Sequence, residues 1–177
     1  MEKMETIVTY LEMTDPADLR PSPEVPALAL LRADGSSSAV QDVQARVGAP
    51  HGWRSTARTA GDWAAHLSEH PRRQYWLVTH DGEPAGVANL EPHPGGDVEI
   101  TTFGLVPEHV GRGLGGYALT LALRQAWATE PLDADAVRRV WLHTNSNDHP
   151  NALRNYEKRG LRPYKVQKVR KVQAGTD

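Results

Sequence analysis

VGRGLGG, residues 110–116, places glycines at 111, 113, 115 and 116, directly ahead of an apolar run that repeats at helical spacing. That run, LGGYALTLALRQAWA (114–128), has Leu114, Ala118, Leu121, Ala122 and Ala126 on one stripe and ends at Thr129-Glu130-Pro131. A glycine-rich turn that opens a helix gathers backbone N–H groups at the positive end of the helix dipole. A pyrophosphate fits such a place. Gly111, Gly113, Gly115 and Gly116 carry no Cβ to keep it off the backbone, and Arg112 offers a charge beside it.

Working outward, residues 75–106 read as three strands, YWLVTH (75–80), PAGVANLE (84–91) and DVEITTFGLV (97–106). The turn signals Asp81-Gly82 and Pro94-Gly95-Gly96 join them into an antiparallel meander. Downstream, RRVWLHT (138–144) is a strand, HPNALRNYEKRG (149–160) a helix stopped by Gly160, and LRPYKVQKVRKV (161–172) a last strand. Upstream, ETIVTYLEM (5–13) is a strand closed by Thr14-Asp15-Pro16. Between Pro21 and Pro71 the pattern is irregular, with helices expected over PALALLRA (26–33), VQDVQARV (40–47) and AGDWAAHLS (60–68).

The chain has 177 residues, 39% of them hydrophobic, enough for the core of one domain. A formal charge of −2 argues against nucleic acid or an acidic membrane as the main partner. With no cysteine, disulfides and thiol chemistry are excluded. The N-terminal MEKMETIVTYLEM carries acids where a signal peptide is basic, and its apolar run is too short to span a bilayer, so a cytoplasmic location is expected.

Gly111, Gly113 and Gly116 also complete a formal G-x-G-x-x-G. A dinucleotide fold opens with that unit and ends its next strand on an acid; here a meander precedes the loop, and RRVWLHT runs into Asn145. VPEHVGRGLGG followed by HPNALRNYEKRGLRPY instead resembles the two central motifs of the GNAT acetyltransferase superfamily, best over residues 75–164. The first motif falls on Val110, Gly111, Arg112, Gly113, Leu114 and Gly115, with Val110 in place of the usual Arg or Gln. In the second, His149 stands where an Asn commonly bonds the pantetheine arm, so that role falls to His149 or to nearby Asn151.

The resemblance implies an α/β GNAT fold over residues 1–177, a mixed, mostly antiparallel sheet with helices on both faces. Residues 1–74 would supply the first strand and the acceptor-side helices, and residues 75–177 the acetyl-CoA-binding core. It implies acetyl-CoA as co-substrate, bound between DVEITTFGLV and RRVWLHT, and a small-molecule or peptide amine as acceptor; a homodimer stays open. The alternative is a non-catalytic acetyl-CoA-binding sensor or scaffold of the same fold.

Direct acetyl transfer needs a neutral amine, a polarised thioester carbonyl and a proton for the departing thiolate. Alternation along DVEITTFGLV puts Glu99, Thr101 and Phe103 on one face, with Glu99 the candidate base and Phe103 a candidate acceptor contact. Gly104 interrupts that strand, marking a bulge or a close approach. In the superfamily, free backbone groups at this point hold pantetheine and the acetyl carbonyl, a role that falls on Leu105 and Val106. Tyr156 shares a helix face with Ala152 and is the candidate acid; a thiol near 8.5 and a phenol at about 10 make that transfer slightly uphill. Trp53 and Trp63 are candidate acceptor contacts. His66 and His70, four apart, lack both the H-E-x-x-H order and a third ligand, so no metal is expected.

Overall fold

The computed structural model describes residues 5–170. Strands β1 (Thr6–Met13) and β2 (Leu28–Ala33) precede helices α1 (Ser38–Gly48) and α2 (Ala60–Glu69). Next come the meander β3 (Tyr75–His80), β4 (Glu83–His93) and β5 (Asp97–Leu105), helix α3 (Gly115–Ala128), β6 (Arg139–Asn145), α4 (Ala152–Lys158) and β7 (Arg162–Val169). They build one seven-stranded sheet in the order β2-β3-β4-β5-β6-β1-β7, antiparallel throughout except between β5 and β6. The β3–β4 turn takes positive φ at Asp81 (50°) and Gly82 (81°), the backbone that Asp-Gly supplies to a tight hairpin. Lys171 and Val172, expected at the end of the last strand, lie outside the described residues.

The sheet has helices on both faces, as the sequence implied. On one, Val40, Val43 and Val47 of α1 and Trp63 of α2 pack on Tyr75, Leu77 and Val87. On the other, Leu119, Leu123 and Ala126 of α3 pack on Leu90, Val98 and Ile100, while Ala118 and Ala122 meet Val78 and Ala88. Alternation along β4 sends Val87 one way and Ala88 the other, as expected of a strand covered on both sides.

PALALLRA is a strand, not the expected helix. Leu28 to Ala33 pair residue by residue with His80 to Tyr75, capping the open edge of the meander. The helix propensity of Ala and Leu is worth only tenths of a kcal/mol per residue, and a ladder of strand hydrogen bonds overrides it.

Two features of β5 position the site. Its pairing with β4 slips between Asn89 and Leu90, which face Thr102 and Ile100, so Thr101 has no opposite number and forms a bulge. The strict alternation expected of this strand therefore fails: Phe103 lies on the α3 face with Ile100, opposite to Glu99, rather than beside it. Second, β5 pairs with β6 only at Asp97–Arg139, Val98–Val140 and Glu99–Trp141. Strand β6 meanwhile stays bound to β1 from Asn145 to Val140. Past Glu99 the two central strands part, leaving the β6-facing backbone edge of β5 without a strand partner.

Candidate active site

A cleft of about 460 Å³ opens where β5 and β6 diverge, between the glycine loop and α4. Its lining brings together Trp53, Phe103, Leu105, Val110, Gly111, Gly113, Gly115, Gly116, His149, Asn151 and Tyr156, eleven of the residues the sequence singled out. Gly111 (φ 78°) and Gly113 (φ 76°) sit in the left-handed region with open space where a Cβ would stand. That leaves their backbone exposed just ahead of the α3 N-terminus, a cradle suited to an anion.

Gly115 and Gly116 do different work. The Gly115 carbonyl accepts from Asn155 Nδ2 (3.2 Å), tying α3 to α4. A Cβ on Gly116 would stand 2.8 Å from Ser22 Oγ, so this glycine admits the Ser22 segment against α3.

Across the cleft, Gly104 and Trp53 fit together. A Cβ on Gly104 would meet Val47 Cγ1 at 2.5 Å, so the glycine marks the close approach of α1, while the bulge lies at Thr101. Trp53 is held by its indole N–H donating to Asp148 Oδ1 (3.2 Å). Asp148 is fixed in turn, accepting at Oδ2 from the Thr144 hydroxyl (2.6 Å) and the Asn145 N–H (3.0 Å). The Asn151 N–H donates to His149 Nδ1 (3.1 Å), which leaves Nε2 of a neutral His149 to carry its proton.

Tyr156 lines the cleft from α4, its ring 6.3 Å from that of Phe103 and edge-on to it. Burial, aided by the negative charge of Asp148, holds its hydroxyl far above the usual phenol range. The phenol therefore stays protonated, and giving the proton up is more steeply uphill than an exposed tyrosine would find it.

Five of the singled-out residues do not reach this cleft. Trp63 is 3% exposed in the α1/α2 core, edge-on to Tyr75 with the Arg58 guanidinium over its ring (4.7 Å); it packs there and does not line the cleft. Val106 is fully buried and spends its N–H on the Ala85 carbonyl (2.8 Å), so it has no donor left for a ligand. Arg112 is exposed outside the cleft, and Leu114 is buried against Ala118 and Tyr117. Glu99 lies at the root of the divide, on the sheet face that carries α1.

There Glu99 is 3% exposed in its side chain and accepts at Oε1 from His93 Nε2 (2.9 Å). Its Oε2 has no hydrogen-bond partner among the described residues. Glu91 completes a cluster in which one ligand-type atom from each of Glu91, His93 and Glu99 lies within 4.8 Å of the others. Countercharge comes from Arg73, 1% exposed, whose Nε stands 3.5 Å from Glu91 Oε1. Arg73 is itself braced by His66 Nε2 (3.0 Å), whose pKa burial and the nearby Arg58 and Arg73 push down to about 3. The His66–His70 pair therefore serves to seat an arginine. The Trp141 ring lies tilted 6.1 Å from that of His93, and His143, two residues on, has its pKa lowered by burial while sensing both Glu99 and Asp148.

Sequence reasoning missed His93, Glu91 and Asp148, and also Arg154 and Lys158, which line the cleft from α4. The last two carried a usable signal, two cations four residues apart on one helix.

Residues 42–161 match the family model described as the acetyltransferase (GNAT) family. The chain is 33% identical over 132 residues to the mycothiol acetyltransferase of Nocardia farcinica, a match covering 74% of this chain and 39% of that protein. Among solved structures it superposes on a GCN5-related N-acetyltransferase from Kribbella flavida (TM-score 0.57, 22% identity, 89% of this chain and 54% of the other). It superposes likewise on a putative GNAT-family acetyltransferase from Novosphingobium aromaticivorans (TM-score 0.59, 20% identity, 93% and 63%). The chain thus spans 39%, 54% and 63% of the lengths of these three. With the family model matched across the glycine loop, the divided strands and α4, this chain belongs to the acetyltransferase (GNAT) family.

Proposed function

We propose that the protein is an acetyl-CoA-dependent N-acetyltransferase that moves an acetyl group to a primary amine by direct attack. The observation that carries this reading is the cleft: an open, left-handed glycine cradle at the start of α3, continuous with the gap between β5 and β6. The cradle suits the pyrophosphate of CoA, with the cations Arg154 and Lys158 on the opposite wall. The gap beyond Glu99 suits an extended pantetheine arm, which would add to the free edge of β5 through Leu105 and its neighbours as a strand would. His149 and Asn151 both line that route.

In the reaction the acceptor ammonium loses a proton at the Glu99 end, and the neutral amine attacks the thioester carbonyl, polarised by β5 backbone donors. The C–S bond breaks and Tyr156 protonates the CoA sulfur. Because burial holds the Tyr156 proton so firmly, its transfer is coupled to recovery of a proton from the acylated nitrogen. No covalent enzyme intermediate is needed. Tyr156→Phe and Glu99→Gln are expected to lower turnover by about 100-fold or more while leaving acetyl-CoA affinity within a few-fold. Unchanged turnover in both variants would sink the role assignments.

A further inference from the structure

On the sheet face opposite Tyr156, the carboxylate of Glu99 is not free to meet an amine. Its side chain is 3% exposed and one oxygen is committed to His93 Nε2 at 2.9 Å, whereas the His93 side chain is 35% exposed. The group that an incoming molecule can touch is the imidazole. A carboxylate only accepts hydrogen bonds, so Nε2 must carry the hydrogen in this contact, and the second carboxylate facing it, Glu91 at 3.7 Å, enforces the same tautomer. Nδ1, on the other side of the ring, then has the lone pair. A buried acid behind, a fixed tautomer and a ring that is 35% exposed make the arrangement that turns histidine into a base.

Resting on the acetyltransfer reading, we propose that His93 accepts the proton of the acceptor ammonium at Nδ1, and that Glu99 is a positioning residue that fixes the ring and stabilises the imidazolium. The steps balance. The R–NH3+ group gives one proton to Nδ1, and the free amine forms the C–N bond as C–S breaks. The thiolate takes a proton from Tyr156, Tyr156 recovers one from the acylated nitrogen, and the imidazolium returns its proton to solvent.

The surroundings favour the charged ring. The hydrogen bond to Glu99 raises the His93 pKa above its usual 6.5 against the opposing effect of burial, and Glu91 and Asp97 add to the rise. The groups around it are Glu99 and Asp97 from β5, Glu91 from β4 with its partner Arg73, and Trp141, Arg139 and His143 from β6. Since only the neutral ring accepts a proton, activity must rise with pH as His93 deprotonates, and the midpoint must lie above that of an ordinary histidine.

Two readouts test this. By 15N NMR of the full chain, with the His93 signal assigned by its loss in His93→Gln, His93 should be protonated at Nε2 when neutral and titrate above 6.5, and its midpoint should fall in Glu99→Gln. In kcat against pH with an active amine, the acidic limb should follow that midpoint in wild type, move down in Glu99→Gln and vanish in His93→Gln. A His93 that titrates identically with and without the Glu99 charge, or a limb that survives His93→Gln unchanged, overturns the proposal. If wild type acetylates no amine, the acetyltransfer reading fails, and the NMR titration still decides whether the His93–Glu99 pair exists.

Discussion

Asp148 shows how one side chain can organise a site without entering its chemistry. It accepts from the Trp53 indole, the Thr144 hydroxyl and the Asn145 N–H, and so fixes the aromatic wall of the cleft to the end of β6. Asp148→Ala is expected to cost about 1–3 kcal/mol in urea unfolding and to weaken CoA binding as Trp53 comes loose. Asp148→Asn, which keeps one oxygen acceptor, should lose less; equal stability of the alanine variant would show that the three contacts carry nothing. Single residues of this kind were the least legible in the sequence. Glu99 and Tyr156 were singled out on strand alternation and helix spacing, and the structure puts Tyr156 in the cleft and Glu99 where β5 and β6 part. The His93–Glu99 contact runs diagonally across the β4–β5 hairpin, in a register that pairs Glu91 with Glu99 and His93 with Asp97. Only the turn geometry sets that register, so the partner of Glu99 stayed hidden.

At the scale of elements, the meander, α3 and α4 followed directly from apolar periodicity and turn residues. The two misreadings share a cause. PALALLRA became β2 because β3 offered it an open edge, and Phe103 changed faces because one bulged residue at Thr101 reverses every side chain beyond it. Both depend on what lies alongside the segment, which local pattern does not contain. Gly104 was read as a bulge or a close approach; the structure shows the second, with Val47 as partner, and puts the bulge at Thr101. Gly104→Val would drive a branched side chain into α1, at a cost of about 1–3 kcal/mol, or roughly 2–4 °C of Tm per kcal/mol for a chain of this size. It should also narrow the cleft and reduce CoA affinity. A thermal midpoint and affinity equal to wild type would show that α1 yields freely at this contact.

Across the whole molecule, one device creates the site: β6 keeps its pairing with β1 while letting go of β5 after Glu99. The two sheet faces beside this gap carry different groups. Tyr156, Phe103 and the glycine cradle gather on the α3 side, and Glu99, His93 and Glu91 on the α1 side. The fold class, and a cleft beside the glycine loop, were legible from VGRGLGG and the strands around it. The layout of residues 14–74 was not, because they carry no motif and their placement depends on packing. The measurement that bears most directly on the central claim is thiol release from acetyl-CoA by the purified chain, across a panel of primary amines and polyamines. Release that depends on the amine, exceeds hydrolysis without one and falls by about 100-fold or more in Tyr156→Phe is the predicted result; no amine-dependent release from a chain that binds CoA would contradict it.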